Sequence, residues 1–334
     1  MRLLYQFWFI IALWASINGY LHAQPNASVT LDLVHKVPNV ALEQDYAYYF
    51  FDTSQDFLVW YEGYTGTVFI YDIANKDMKE VHLKEGRGPN EYQQISGLSI
   101  SGKFIHLVDN INVKLIRLTA SGNFLEDLRT PSSLLPLRIV SNEKYRILMN
   151  GLNKKAVFYL QDDEETYTPL TMGTTKVTEE FPGPFHKEGW MTIQGINLIH
   201  FIKYYPRIYV YNLSSKKMVK KITFDESEIK EREAMTNEEG ARIMYPPEKV
   251  DILNEDVAYI PGSPNRILLL AKGKSENRDY ELDQLLEYDF KEEQFVATHD
   301  LGVKAEDITA NDEYLFVYSE EENAIFKYKF VAAE

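Results

Sequence analysis

The chain contains no cysteine in 334 residues. That absence removes disulfide frameworks, thiolate zinc sites, iron–sulfur clusters and cysteine nucleophiles before any motif is read. Histidines with metal-ligand spacing are also missing. His35, His82, His106, His186, His200 and His299 form no H-x-H or H-E-x-x-H pattern, and each reads as a packed or solvated side chain. No G-x-S-x-G marks a serine elbow. Positive charge is scarce: 35 Lys+Arg face 50 Asp+Glu, a formal net charge of −15, which argues against nucleic acid as a partner. The one basic run, Lys216, Lys217, Lys220 and Lys221, is too short to reverse that sign. Nothing calls for a cofactor or a resident metal.

Aromatic residues are abundant at 13%, from 23 Tyr, 18 Phe and 4 Trp, a composition that suits pleated, half-buried strands better than a helical bundle. The N-terminus reads as a secretory signal peptide over residues 1–23. Arg2 precedes the apolar run Leu3–Ala15, and Leu21-His22-Ala23 supplies the cleavage pattern. Gln6, Ser16 and Asn18 interrupt the apolar stretch, which falls short of the roughly 20 residues that span a bilayer, so no stable membrane anchor is expected after cleavage. No Cys is present for lipid attachment. The mature chain, 24–334, is expected as a single periplasmic or extracellular domain and a monomer, held by core burial alone.

One four-strand unit recurs along that chain. Its clearest copy runs Ile95–Ile100, turn, Phe104–Val108, loop 109–112, Val113–Leu118, turn 119–122, Asn123–Leu128. Gly, Asn, Asp and Ser in the turns supply the conformations that hairpins need. The third strands align as TVFIYD (67–72), VKLIRLT (113–119), AVFYLQ (156–161), IYVYNL (208–213), QLLEYDF (284–290) and AIFKYKF (324–330). A repeat of roughly fifty residues with four strands per copy is the pattern of a propeller, because a lone four-stranded sheet cannot bury both faces whereas a ring of them can. The fold class is therefore all-β, a six-bladed β-propeller of four-stranded antiparallel blades. The last copy lacks a fourth strand, and the unpartnered Val29–Val37 is expected to complete it and close the ring.

Gly86-Arg87-Gly88-Pro89-Asn90-Glu91-Tyr92 resembles the first inter-blade loop of six-bladed propellers exported by Bacteroidetes-type bacteria, and Asp109-Asn110-Ile111-Asn112 with Leu115, Leu118 and Gly122 is similar to an NHL/TolB-like repeat. The resemblance implies a fold and a compartment more than an activity. On it, Arg87, Glu91, Tyr92, Asp109 and Asn112 are candidate ligand contacts. Read physically, the loop is no phosphate cradle, since Glu91 stands where a third Gly is needed and a strand follows in place of a helix. Arg87 is expected to pair with Glu91 or another carboxylate.

The long insertions, 172–189, 225–256 and 272–283, all fall on the face carrying the B–C and D–A loops, where binding function on a rigid scaffold concentrates. His186, Trp190, Tyr205 and Arg207 on that face complete the candidate set. Asp225–Met244 is expected to form a charged helix ended by Pro246-Pro247, and Asp162–Glu165 a solvated turn. Two functions are carried forward. The first is a binding protein for a small glycan, peptide or partner protein on the loop-rich face. The second is a lyase, lactonase or glycoside-cleaving enzyme with axial carboxylates or a metal.

Overall fold

The computed structural model describes residues 29–37, 49–131, 133–152, 156–161, 166–232, 235–236, 242–276 and 278–332. Residues 1–23, expected above as a signal peptide, and the acidic run Asp162–Glu165 lie outside them. The described chain folds into six antiparallel sheets of four principal strands, each wound outward from strand A to strand D. Blade 1 is Tyr49–Thr53, Phe57–Glu62, Thr67–Asp72 and Met78–His82. Strand A of blades 2 to 6 is Ile95–Ser101, Pro136–Ser141, Gly189–Gln194, Ile252–Tyr259 and Asp307–Ala310. In blade 6, strand C (Ala324–Ala332) pairs antiparallel with Val29–Val37, so the fourth strand comes from the opposite end of the sequence.

The core is six separate clusters, one at each blade interface. Strand B of blade 3 (Arg146–Asn150) shows why: Ile147 and Met149 face blade 4, while Leu148 between them faces blade 2. Period-two alternation here sorts two apolar faces, since both sides of every sheet are covered. The interface of blades 6 and 1 is filled by Val37, Leu58, Trp60, Tyr71, Phe316 and Ile325. That cluster makes the ring continuous.

Hydrogen bonds between neighbouring strands A reinforce the packing near the axis. Thr309 Oγ1 donates to Asp52 at 3.2 Å, Asp52 Oδ2 accepts from Ile100 N and Ser99 Oγ, and Ser99 Oγ accepts from Ser141 N at 2.8 Å. This links blades 6, 1, 2 and 3. Burial pushes the Asp52 carboxyl up to about 6, opposed by the donors around it.

The insertion 225–256 differs from expectation. Its described residues contain no helix. Ile229–Lys230 pairs antiparallel with Lys249–Val250, and Met235–Thr236 with Arg242–Ile243. Asp225 caps nothing and accepts from Ser275 Oγ at 2.8 Å and from Tyr280 OH, tying the insertion to blade 5. The stretch has charge but no apolar stripe at helical spacing, so pairing of its two arms wins over an isolated helix.

Candidate functional site

Strands A from all six blades enclose a central channel of about 1040 Å3. Toward the loop-rich mouth it is lined by Arg138 of blade 3, Glu188 and Trp190 of blade 4, Lys203 from the blade 4 B–C loop, Asp256 of blade 5 and Asp307 of blade 6. Strand A is the innermost of each blade, so a polar residue in it has the axis as its outlet.

Asp256 and Asp307 are hydrogen-bonded to each other through their carboxyl groups. Asp256 is fixed by two backbone donors, Val257 N and Ile308 N, each at 2.7 Å. Burial raises both carboxyls, and Asp307 is raised well above the usual range, first by burial and then by the negative charge of Asp256. The two N–H donors hold the charge on Asp256, and the pair keeps a proton on Asp307.

Arg138 faces this pair. Burial lowers its pKa, opposed by the negative charge of Glu188 and of the Asp256–Asp307 pair. Its guanidinium lies 5.4 Å from the Trp190 ring centroid, and Lys203 Nζ also stands over that ring at 5.4 Å. Lys203 Nζ pairs with Glu188 Oε1 at 3.5 Å. Trp190 is half-buried, its body packed against the interface of blades 4 and 5. The mouth thus combines a fixed guanidinium, an ammonium, an indole and a carboxyl pair holding a proton.

The other sequence candidates lie outside the channel. In the loop 84–92, Glu91 binds Lys84 Nζ and the Gly88 N–H, the latter at 2.7 Å, so Arg87 does not pair with it; Arg87 Nε donates to Gln93 Oε1 at 3.1 Å. The Glu91 carboxylate folds under the loop so closely that a Cβ on Gly86 would stand 2.2 Å from Oε2. Tyr92 packs edge-on against Tyr61 at 6.3 Å. Asp109 accepts from Gln93 N at 3.0 Å and from Asn112 Nδ2 at 2.7 Å, and Asn112 Nδ2 also reaches Gly86 O at 3.1 Å. These two residues staple the B–C loop of blade 2 to the loop before that blade.

His186, Tyr205 and Arg207 come together on the loop-rich face around a residue the sequence reading did not select, Glu231. The His186 ring stacks on Tyr205 at 5.1 Å, His186 Nε2 lies 3.3 Å from Glu231 Oε1, and Tyr205 OH donates to the same oxygen. Arg207 lies 5.3 Å over the Tyr205 ring. Tyr205 is buried beneath this stack, and Phe181 is fully buried against Tyr209, so the first insertion is a packed loop that pins the second.

Among the histidines, His106 and His200 are buried and held neutral, each pushed down to about 3 chiefly by desolvation. His299 Nε2 lies 3.1 Å from the buried Glu287. Among the described residues no three His, Asp or Glu side chains converge as a metal site.

Sequence reasoning found Trp190 and missed Arg138, Glu188, Lys203, Asp256 and Asp307. Charges did stand in largely apolar first strands: Asp52 alone in YFFDT, Arg138 alone in PLRIVS, Asp307 alone in DITA, and Asp256 in ILNEDVAY beside Glu255, which pairs with Lys272 instead. In a propeller that position means the axis.

The architecture and axial channel define the class, a six-bladed β-propeller with a polar channel mouth. The chain belongs to the DUF5128 family of six-bladed β-propellers, whose family model matches residues 38–253. No functionally curated protein matches it. Similar solved structures include a member of the DUF4221 family from Bacteroides vulgatus, 11% identical over 93% of this chain and 100% of that one with a TM-score of 0.53. Hydrazine synthase from Kuenenia stuttgartiensis is 10% identical over 94% and 100%, with a TM-score of 0.51. At these identities the likeness is one of fold.

Proposed function

We propose that this protein is an exported six-bladed propeller that binds a periplasmic or extracellular ligand, a glycan or peptide, at the loop-rich mouth of its central channel. The observation carrying the reading is the grouping of Trp190, Arg138 and Lys203 opposite the Asp256–Asp307 pair. An indole with fixed charges around it gives an apolar wall and directional hydrogen bonds in one enclosed place, the combination by which polar ligands are oriented. The leader pattern in residues 1–23 and the complete absence of cysteine support export without lipid attachment. Titrating panels of oligosaccharides and peptides against the mature protein tests the reading. A ligand held at this mouth should lose at least about tenfold in affinity in W190A, on the order of one favourable contact. Ligands that bind equally well to W190A place recognition elsewhere.

A second reading, a glycoside-cleaving or lyase activity, rests on the carboxyl pair. One ionised and one protonated carboxyl in the same cavity is equipment for acid and base catalysis. In that case D307N abolishes turnover of a bound glycan while leaving its affinity nearly unchanged. A simple binding site gives no turnover in the wild type.

A further inference from the structure

We propose that Arg138 is an anion anchor and that the ligand of the channel is an acidic glycan, with the carboxylate of a uronic acid residue seated on this guanidinium. The inference rests on the channel-mouth reading above and specifies its substrate class. Among the described residues Arg138 has no ion-pair partner within 4.0 Å, and no hydrogen-bond acceptor is assigned to its side chain. The other cation over Trp190 is engaged, Lys203 with Glu188, and in a neighbouring loop Lys84 has Glu91 and Arg87 has Gln93. The acids near Arg138 are already engaged. Asp256 accepts Val257 N and Ile308 N and is bonded to Asp307, while Glu188 pairs with Lys203. A guanidinium brings a planar fork of N–H donors that matches a carboxylate in bidentate fashion, and leaving such donors unmet in an enclosed place is unfavourable. Trp190 fixes the side chain from one side, so the fork is held in place before a ligand arrives.

The rest of the lining decides between sources of that carboxylate. Glu188, Asp256, Glu306, Asp307 and Gln94 line the same part of the channel, a surface rich in acceptor oxygens. A hexuronate offers one carboxylate and several hydroxyl donors per ring, which suits one free cation among many acceptors. A peptide brings one carbonyl acceptor with each amide donor and leaves that surplus unmatched. Lys203 and Arg138 are offset by Glu188, by Glu306 and by the single charge of the proton-sharing pair. The anion is therefore held by the geometry of the fork and not by a broad positive field, and its binding should depend only weakly on salt.

The test is isothermal titration of the mature protein with a trigalacturonate, the corresponding neutral galactose trisaccharide, and a tripeptide with a free C-terminus. The expected result is binding of the uronate in preference to both others, reduced about 10-fold to 100-fold in R138Q and partly retained in R138K. The melting temperatures of both variants, measured alongside, separate a lost contact from a lost fold. Equal affinity of R138Q and wild type for the uronate overturns the proposal, as does preference for the peptide or failure of the uronate to bind. If the neutral sugar binds and depends on Trp190 but not on Arg138, the anion anchor falls while the channel-mouth reading stands. If no ligand responds to W190A, that reading falls with it.

Discussion

Replacing Asp256 by Asn separates the structural from the electrostatic role of the carboxyl pair. Asp256 accepts two backbone N–H groups, Val257 and Ile308, at 2.7 Å each, and the second of these joins blade 5 to blade 6. Asn keeps one acceptor oxygen and turns an NH2 toward the other donor. One charge-assisted hydrogen bond is lost and a buried N–H is left facing another donor, a cost of about 1.5–3 kcal/mol. For a domain of this size that lowers Tm by roughly 2–5 °C. D307N is the control, because Asp307 is already the protonated partner and an Asn NH2 can donate to Asp256 in its place; it should cost less than about 1 kcal/mol. The pH dependence gives the second signature. Both carboxyls are raised, so between the ordinary carboxylate pKa and their folded values the native state binds more protons than the unfolded state. Stability from the pair therefore rises as pH falls from neutrality toward 4 and is lost as pH rises through the folded pKa. D256N removes one member and relieves Asp307 of its neighbour's charge, leaving only the burial contribution. The stability gap between wild type and D256N should widen from pH 8 to pH 5. Urea denaturation of both variants across that range measures it. Equal costs for D256N and D307N, or a gap that does not change with pH, would refute the assignment of the proton to Asp307.

Two further predictions concern the scaffold. Gly66 has φ +67°, and a Cβ there would lie 2.1 Å from Tyr92 OH; G66A should cost about 2–3 kcal/mol by denaturant titration, with part recovered in the G66A/Y92F double variant. Deleting Val29–Val37 strips strand C of blade 6 of its partner and removes Val37 from the interface of blades 6 and 1. Light scattering should then show self-association through the exposed edge, and a monomer as stable as wild type would refute the role of that strand.

How far the sequence reaches can be argued from particular strands. All six third strands, from TVFIYD to AIFKYKF, fall where their apolar runs and turn residues place them, because blade packing demands the same pattern in every copy. The long insertions likewise fall on the B–C and D–A side. Charge and a proline stop give Asp225–Met244 the look of a helix, while pairing of the insertion's arms depends on Ile229 and Val250 meeting across twenty residues of chain. Asp109 and Asn112 carry a polar signature that serves the loop itself.

By itself, then, the sequence determined a cysteine-free, acidic, repeating β chain and the number of its blades, since repetition and alternation are local in the chain. Which charges share a cavity was decided only by closure of the ring. Arg138, Trp190, Asp256 and Asp307 lie in four different blades, more than a hundred residues apart from first to last. They meet because each occupies the innermost strand of its sheet, and the axis is the one place those strands have in common.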